Sequence, residues 1–394
     1  MKTERLYYSD SYLTSFHAIP VDQRDGGCRV YLDRTAFYPT SGGQLFDTGR
    51  LGGIRVVEVV DEDDRIAHLL EGPLPPGVVE GVVDWRRRFD HMQQHTGQHL
   101  LSAVFANEFG YQTVSVHFGD ATATLDLDVG ALGPEEIRRA GARANALVTE
   151  NLTVQVAFED AAAATGLRKA TERSGPIRIV TIAGLDRSAC GGTHVRATGE
   201  IGPILIRKAE RVKKLVRLEF LCGARAVARA RADFEILSDL AGPASAAIDD
   251  LPALSEKQRV ELKGIETARR ALEEELHIYR ARELYQSAQP DETGRRCILH
   301  RAAGGTVESC RGLAQAVTAL PNTVLIATLT TPPAVLLATS PDSGIDAGQL
   351  LRSVVTGLGG RGGGTARLAQ GTVPGEAAIE TALSKLASAV QGSR

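Results

Sequence analysis

Cysteine is scarce in this sequence. There are five in 394 residues, Cys28, Cys190, Cys222, Cys297 and Cys310, odd in number and irregularly spaced. That excludes a disulfide framework and points to a reducing compartment. An excess of charge is also missing: the formal net charge is −3. Bulk electrostatics therefore do not mark a nucleic-acid binder, and any such role must rest on a local basic patch. No apolar run is long enough to span a membrane. The N-terminal segment leads into Leu6-Tyr7-Tyr8 rather than a long apolar core, so no secretory signal is read. A cytoplasmic protein without membrane association is the expectation. What is present is ample apolar side chain, 43% of residues. It supports globular cores, and the length suits two or three domains.

Two short stretches, far apart, carry metal-binding residue types. In His95-Thr96-Gly97-Gln98-His99 the histidines are four apart. On a helix such residues share a face, and both rings can aim at one point. Met92, Leu100, Leu101, Val104 and Phe105 supply the apolar stripe of such a helix. In Cys190-Gly191-Gly192-Thr193-His194 a thiol and an imidazole flank two glycines, which suits a tight loop turning both inward. Either motif alone is usually structural. Together they offer three imidazoles and a thiolate, a donor set that fits tetrahedral zinc better than a hard, oxygen-seeking cation. His91 precedes His95 by one turn. It reads as a replacement ligand, a hydrogen-bond partner behind a ligand, a nucleic-acid contact or a plain surface residue.

The expected fold class is α+β, in several domains. Residues 1–84 read as short strands packing as a small β-barrel. Inside lies Phe37 to Gln44, with Ser41-Gly42-Gly43, which reads either as a hairpin loop or as a glycine loop that lets backbone amides reach a ligand. Trp85-Arg86-Arg87-Arg88 opens the histidine helix, as a solvated face or as a phosphate and base contact. Residues 85–221 form a two-layer α+β metal-binding domain. Strands are expected over 112–118, 122–128, 154–158 and 177–182, with helices from Gly133 to about Asn151 and from Asp160 to Gly166. Glu200 to Phe220 holds the strongest basic cluster, read as a solvated strand edge or as a track for RNA phosphates. Residues 222–287 read as a helical hairpin or short coiled coil linking domains. Residues 288–394 form an α/β domain with strands near 324–329 and 334–338. Its glycine run, Gly357 to Gly364, reads as an anion-binding nest or a mobile tether.

At this point the residues resemble a known family. His95 to Leu101, Cys190 to Val195 and Thr198 to Gly202 look like the editing domain of alanyl-tRNA synthetases. Met92 to Ser102 and Thr113 to His117 are similar to the version in free-standing AlaX editing proteins. Phe37 to Gln44 resembles the glycine motif of the preceding barrel, and the glycine run with Ala369-Gln370 resembles the C-terminal domain shared with Asp-His-His phosphoesterases. The resemblance covers nearly the whole chain and begins at the barrel, without the aminoacylation region of a synthetase. It therefore implies the long AlaX form, an aminoacyl-tRNA deacylase acting in trans. The implied substrate is seryl-tRNA of alanine identity, with glycyl-tRNA as a second. The implied cofactor is Zn²⁺, held by His95, His99, Cys190 and His194. Thr40, Ser115 and His117 are candidates to sense or orient the serine. The implied partner is tRNA, its outer corner held by the C-terminal domain, and a homodimer could form through the helical linker or that domain. Two alternatives remain: a tRNA-binding protein with a structural zinc, and a phosphoesterase. The second needs an Asp-His-His triplet, which does not occur in this sequence.

Overall fold

The computed structural model describes residues 2–171, 174–302 and 307–392. Two compact units divide between Ser245 and Ala246. In the first, β1 (Glu4–Arg5) pairs in parallel with β5 (Arg34–Thr35). Strands β2 (Ser15–Ala18), β3 (Pro20–Arg24), β4 (Arg29–Leu32), β6 (Gly49–Leu51), β7 (Ile54–Glu62), β8 (Arg65–Leu70) and β9 (Val79–Val83) make one sheet, in the order β2-β9-β6-β7-β8-β4-β3. Residues such as Val30, Leu32, Val56, Val59 and Ile66 face one core. Val30 and Leu32 keep the two-residue period of a strand, and a register shift between Val56 and Glu58 brings Val59 to the same side as Val56. The expected barrel is not closed. β2 and β3 are the two edges of the sheet, and no ladder joins them. Only Ile19 separates them in sequence, so the chain itself joins the two edges at that corner. Pro20 opens β3 and has no N–H to donate to a ladder.

Helix α1 (Trp85–Phe109) follows, capped by the Asp84 carboxylate at its start and by Gly110, at φ 76°, at its end. Strands β10 (Thr113–Phe118), β11 (Ala123–Leu127), β15 (Ile204–Val212) and β16 (Leu215–Cys222) form an antiparallel sheet in the order β10-β11-β16-β15. Strands β12 (Val154–Asp160), β13 (Pro176–Ile182) and β14 (Asp186–Ala189) form a second, with β13 in the middle. Helices α1 and α2 (Pro134–Thr149) share an apolar core with both sheets, through residues such as Leu101, Phe105, Leu125, Ala144, Val180 and Phe220. A helix was expected from Asp160; the chain makes one hydrogen-bonded turn there and then stops at Gly166, which adopts φ +69°. Helix α3 (Gly223–Ala241) ends the element order of this unit.

The second unit opens with α4 (Leu251–Ser287), of which only Ala281 is buried among the described residues. Its sheet runs β17-β18-β19-β21-β20, from β17 (Arg296–Arg301), β18 (Thr323–Thr330), β19 (Pro333–Thr339), β20 (Arg361–Gly364) and β21 (Leu368–Thr372). Val324, Ile326, Val335 and Leu337 pack on α6 (Ala347–Thr356) and α7 (Glu376–Gly392). Leu325, Ala327, Leu336 and Ala338 pack on the opposite side, with α4 and α5 (Val307–Thr318). Burial on both faces is why these strands read as unbroken apolar runs. The glycine run is neither nest nor tether in its second half: Arg361–Gly364 is edge strand β20, paired with β21. A Cβ at Gly362 would lie 2.8 Å from Leu351 Cδ2, and one at Gly360 would lie 2.1 Å from the Thr372 carbonyl oxygen. Close packing of α6 and β21 requires glycine there.

Candidate metal centre and its cavity

Helix α1 is pinned before it reaches the site. Arg88 is fully buried, and its guanidinium donates to Asp47, to the Ser11 carbonyl at 2.8 Å and to the Ala36 carbonyl. Removing two buried charges from water is costly unless they meet each other and further polar groups; here both conditions hold. So one of the three arginines at the helix entrance is structural. Arg87 donates to the Phe46 carbonyl and to Asp120, and Arg86 is exposed.

About two turns beyond Arg88, His95 faces inward, followed a turn later by His99; they are 4% and 5% exposed. The loop after β14 brings Cys190 and His194 to them. Arg178 shapes that loop, donating to the Cys190 carbonyl at 2.7 Å and the Gly192 carbonyl at 2.8 Å. Gly192 must be glycine, since a Cβ would sit 2.1 Å from His95 Cε1. The four ligand atoms lie within 4.8 Å of one another. Cys190 Sγ is 3.4 Å from His95 Nε2 and 3.3 Å from His194 Nε2. Zn–S and Zn–N bonds at a tetrahedral angle would space those atoms about 3.5 Å apart. The four residues could therefore hold a metal ion.

The groups behind the ligands support this. His95 Nδ1 meets Gln44 Oε1 at 2.9 Å. Gln44 Oε1 also accepts from the Thr193 N–H, and the Gln44 amide nitrogen donates to the Thr193 hydroxyl. The amide is thus oriented with its oxygen toward the ring, and His95 must carry its proton on Nδ1. His99 Nδ1 meets Asp186 Oδ2 at 3.1 Å, and His194 Nδ1 meets Thr96 Oγ1 at 3.1 Å. Thr96 Oγ1 also accepts from the Val195 N–H. Each Nδ1 has its partner, and each Nε2 is left to face the centre, as in metal-bound histidines.

Burial alone would raise the Cys190 thiol; the imidazoles of His95 and His194 outweigh it and hold the group well below its ordinary range. His99 is desolvated, but its hydrogen bonds to Asp186 and Cys190 prevail and raise it to about 9. His194, buried and beside the charge of His95, falls to about 3. The Asp186 carboxyl is buried too, yet its bond to His99 and the Arg168 charge bring it to about 2. A thiolate and converging ring nitrogens call for positive charge at their centre, which a metal cation supplies.

A cavity of about 740 Å³ opens over the cluster, with His95, His99 and Cys190 in its lining. Arg5, Tyr8, Tyr38 and Ser41 line one side, and Ser115 and Arg168 others. Of the three residues expected to orient substrate, Ser115 is in the wall, its hydroxyl donating to Asp126 at 2.6 Å. Thr40 is exposed and its hydroxyl accepts from the Phe46 N–H, while its neighbours Ser41 and Gly42 line the cavity. His117 is exposed two residues beyond Ser115 on β10 and is not in the lining. His91 is buried, outside the cluster, with neither ring nitrogen hydrogen-bonded. Three cations of the basic cluster on β15 and β16 are paired: Arg207 with Glu219, Lys208 with Glu210, Arg217 with Asp126. Gln44, Thr96, Asp186 and Arg178 escaped the sequence reading. Thr96 and Gln44 lie inside stretches it singled out, but nothing local says which ring each would meet.

Comparison with known proteins identifies the family. The family described as "Threonyl and Alanyl tRNA synthetase second additional domain" matches residues 177–219, and the DHHA1 domain matches residues 298–392. The alanyl-tRNA editing protein AlaX-L of Pyrococcus horikoshii is 32% identical, over 98% of this chain and 99% of that protein. An alanine–tRNA ligase of Korarchaeum cryptofilum is 34% identical over 94% of this chain but 43% of its own length. The mouse alanyl-tRNA editing protein Aarsd1 is 37% identical over half of each chain. With a relative matched end to end and a cluster of three imidazoles and one thiolate at its centre, the chain belongs to the alanyl-tRNA editing enzymes of the long AlaX form, aminoacyl-tRNA deacylases.

Proposed function

We propose that the protein hydrolyses mischarged seryl-tRNA of alanine identity, and glycyl-tRNA as a second substrate, in a zinc-dependent site. The observation that carries this reading is the convergence of three Nε2 atoms and one thiolate beside a cavity large enough for an aminoacylated nucleoside. His95, His99, Cys190 and His194 would hold the zinc, which would polarise or position the ester. Gln44, Thr96 and Asp186 keep the rings in the ligating tautomer. Water adds to the acyl carbon, the bond to the ribose oxygen breaks, and that oxygen leaves with a proton while the amino acid leaves as a carboxylate.

Ser115 suits the recognition of serine. Its proton is committed to Asp126, so its lone pairs can accept from the substrate hydroxyl, which alanine lacks. A site built to bond a hydroxyl rejects the analogue without it. Thr40 and His117 would act only from the cavity's margin. The tRNA is the partner, and the apolar residues exposed along α4, such as Leu262, Ile265 and Leu272, suit pairing of two copies, which sedimentation would detect.

A second reading has one observation in its favour. Four protein ligands close a tetrahedron, as structural zinc sites do, so the protein would bind tRNA without cleaving it. The deciding experiment is deacylation of seryl-, glycyl- and alanyl-tRNA by metal-loaded protein and by Cys190→Ala. Hydrolysis of seryl-tRNA, lost together with bound zinc in the variant, is expected. A metal-stripped variant that remains fully active would refute the zinc-dependent reading; zinc-loaded protein without hydrolysis would favour the structural one.

A further inference from the structure

Phe158 is 57% exposed, on the edge strand β12. It packs against the ring of Tyr8, with centroids 6.5 Å apart and planes at 60°. Tyr8 lines the cavity over the metal cluster. Its position is fixed from several sides. The Arg5 guanidinium lies 5.6 Å from the ring centroid and donates to the hydroxyl at 3.2 Å. The Arg178 guanidinium lies 5.7 Å from the same centroid and donates to the Tyr8 carbonyl at 3.0 Å. Tyr7 meets it edge-on at 5.0 Å. Phe158 is outside the cavity lining but touches Tyr8, which is in it, so an exposed ring adjoins one fixed at the cavity wall.

The strand register measures how far this pair of rings is from the chemistry. Phe158 is the direct partner of Arg178 across β12 and β13. The Cys190 N–H donates to the Arg178 carbonyl, continuing the β13–β14 ladder in which Ile179 faces Ala189. Phe158, Arg178 and Cys190 therefore form one cross-strand row, and direct partners project to the same face of a sheet. Two strand spacings separate Phe158 from the thiolate ligand, about 10 Å. That is the reach of one nucleoside, from an ester on the ribose to the far side of the base. Arg178 serves both ends of the row, since it also holds the Cys190 and Gly192 carbonyls. The exposed Lys169 lines the same cavity and offers a charge for a backbone phosphate.

We infer that Phe158 and Tyr8 form a stacking platform for the terminal nucleobase of the RNA substrate, holding its esterified ribose over the metal centre. This rests on the reading of the protein as an aminoacyl-tRNA hydrolase. Unpaired bases at RNA ends are held by aromatic stacking, because every base has a π-face and no duplex neighbour competes for it. Phe158 is a positioning residue and touches no reacting atom.

The test uses the full chain. Phe158→Ala should raise KM for seryl-tRNA about tenfold and leave kcat within about twofold; Phe158→Tyr should restore KM, and Phe158→Leu should not. A second measurement is independent of hydrolysis. An uncharged oligonucleotide ending in CCA, with 2-aminopurine as its last base, should be quenched on binding to the wild type and to Cys190→Ala, but not to Phe158→Ala. Hydrolysis with KM and quenching unchanged in Phe158→Ala would overturn the platform and leave the hydrolase reading standing. Quenching that depends on Phe158, in a protein hydrolysing no aminoacyl-tRNA, would support the platform and remove the hydrolase reading. Because the side chain is exposed, Phe158→Ala should melt with the wild type, so a folding defect would not mimic either result.

Discussion

Helix α1 and strand β18 are both buried along most of their length, and they are made of opposite material. From His91 to Phe105 every residue of α1 is buried, and His91, Gln93, Gln94, His95, Thr96, Gln98, His99 and Ser102 are polar. β18, Thr323–Thr330, is polar only at its threonines, of which Thr323 and Thr328 are buried. An apolar interior tolerates any neighbour of the right shape. A polar interior does not, since each buried group needs its own partner. Those partners are found: Gln93 donates to the Glu200 carbonyl, Gln94 exchanges hydrogen bonds with the Cys222 backbone, and Gln98 donates to Ser102. The three histidines of the cluster have theirs. The chemistry sits where the chain accepts this demand, and the second unit's sheet supplies a conventional core.

The largest effect expected from breaking this contrast is at Gly192. In Gly192→Ala the new methyl displaces His95, so metal content and hydrolysis should both be lost, with the fold retained by circular dichroism. Ile326→Ala is the counterpart in β18. It should cost about 2–5 kcal/mol of stability in the second unit, read by denaturant unfolding, with metal content unchanged. Asp186→Asn leaves His99 without its carboxylate and should weaken metal binding about 10–100-fold, measured by competition with a chelator.

His91 sharpens the contrast, because it is the polar residue of α1 whose ring finds no hydrogen-bond partner. Burial, with the nearby Arg87 charge, pushes it down to about 4. An unfolded chain takes up the proton near pH 6.5 and the folded one only near 4, so stability falls as pH drops through that window. The loss should reach roughly 3 kcal/mol, and His91→Leu should flatten the fall in melting temperature. The smallest effect is at Gly264, on the exposed face of α4 with nothing within 4 Å of an added Cβ. Gly264→Ala should stabilise by about 0.5–1 kcal/mol, seen as a small rise in the melting temperature of the second unit.

What could be read from residue order was what is local. The i,i+4 histidines announce a shared helix face, and Cys-Gly-Gly-Thr-His announces a tight loop. Alternation and apolar runs placed strands β10, β11, β12, β13, β18 and β19 within a residue or two. Misreadings occurred where a residue's partner lies far away. Arg88 reads as solvated or phosphate-binding until Asp47 is seen beside it. The glycines of Arg361–Gly364 suggest a ligand loop until α6 and β21 are seen pressing on them. The barrel was expected to close because a list of strands says nothing of which edges pair.

Sequence by itself determined the four residues that could hold a metal ion, the helix and loop that present them, and the family they resemble, because each depends on neighbours a few residues apart. Tertiary structure alone decided that Gln44, Thr96 and Asp186 stand beside the Nδ1 atoms of the three histidines, and that Phe158 stands in line with Cys190. Both follow from strand register and long-range packing, where elements far apart in the chain are fixed to within a hydrogen bond's length, and no local pattern encodes that distance.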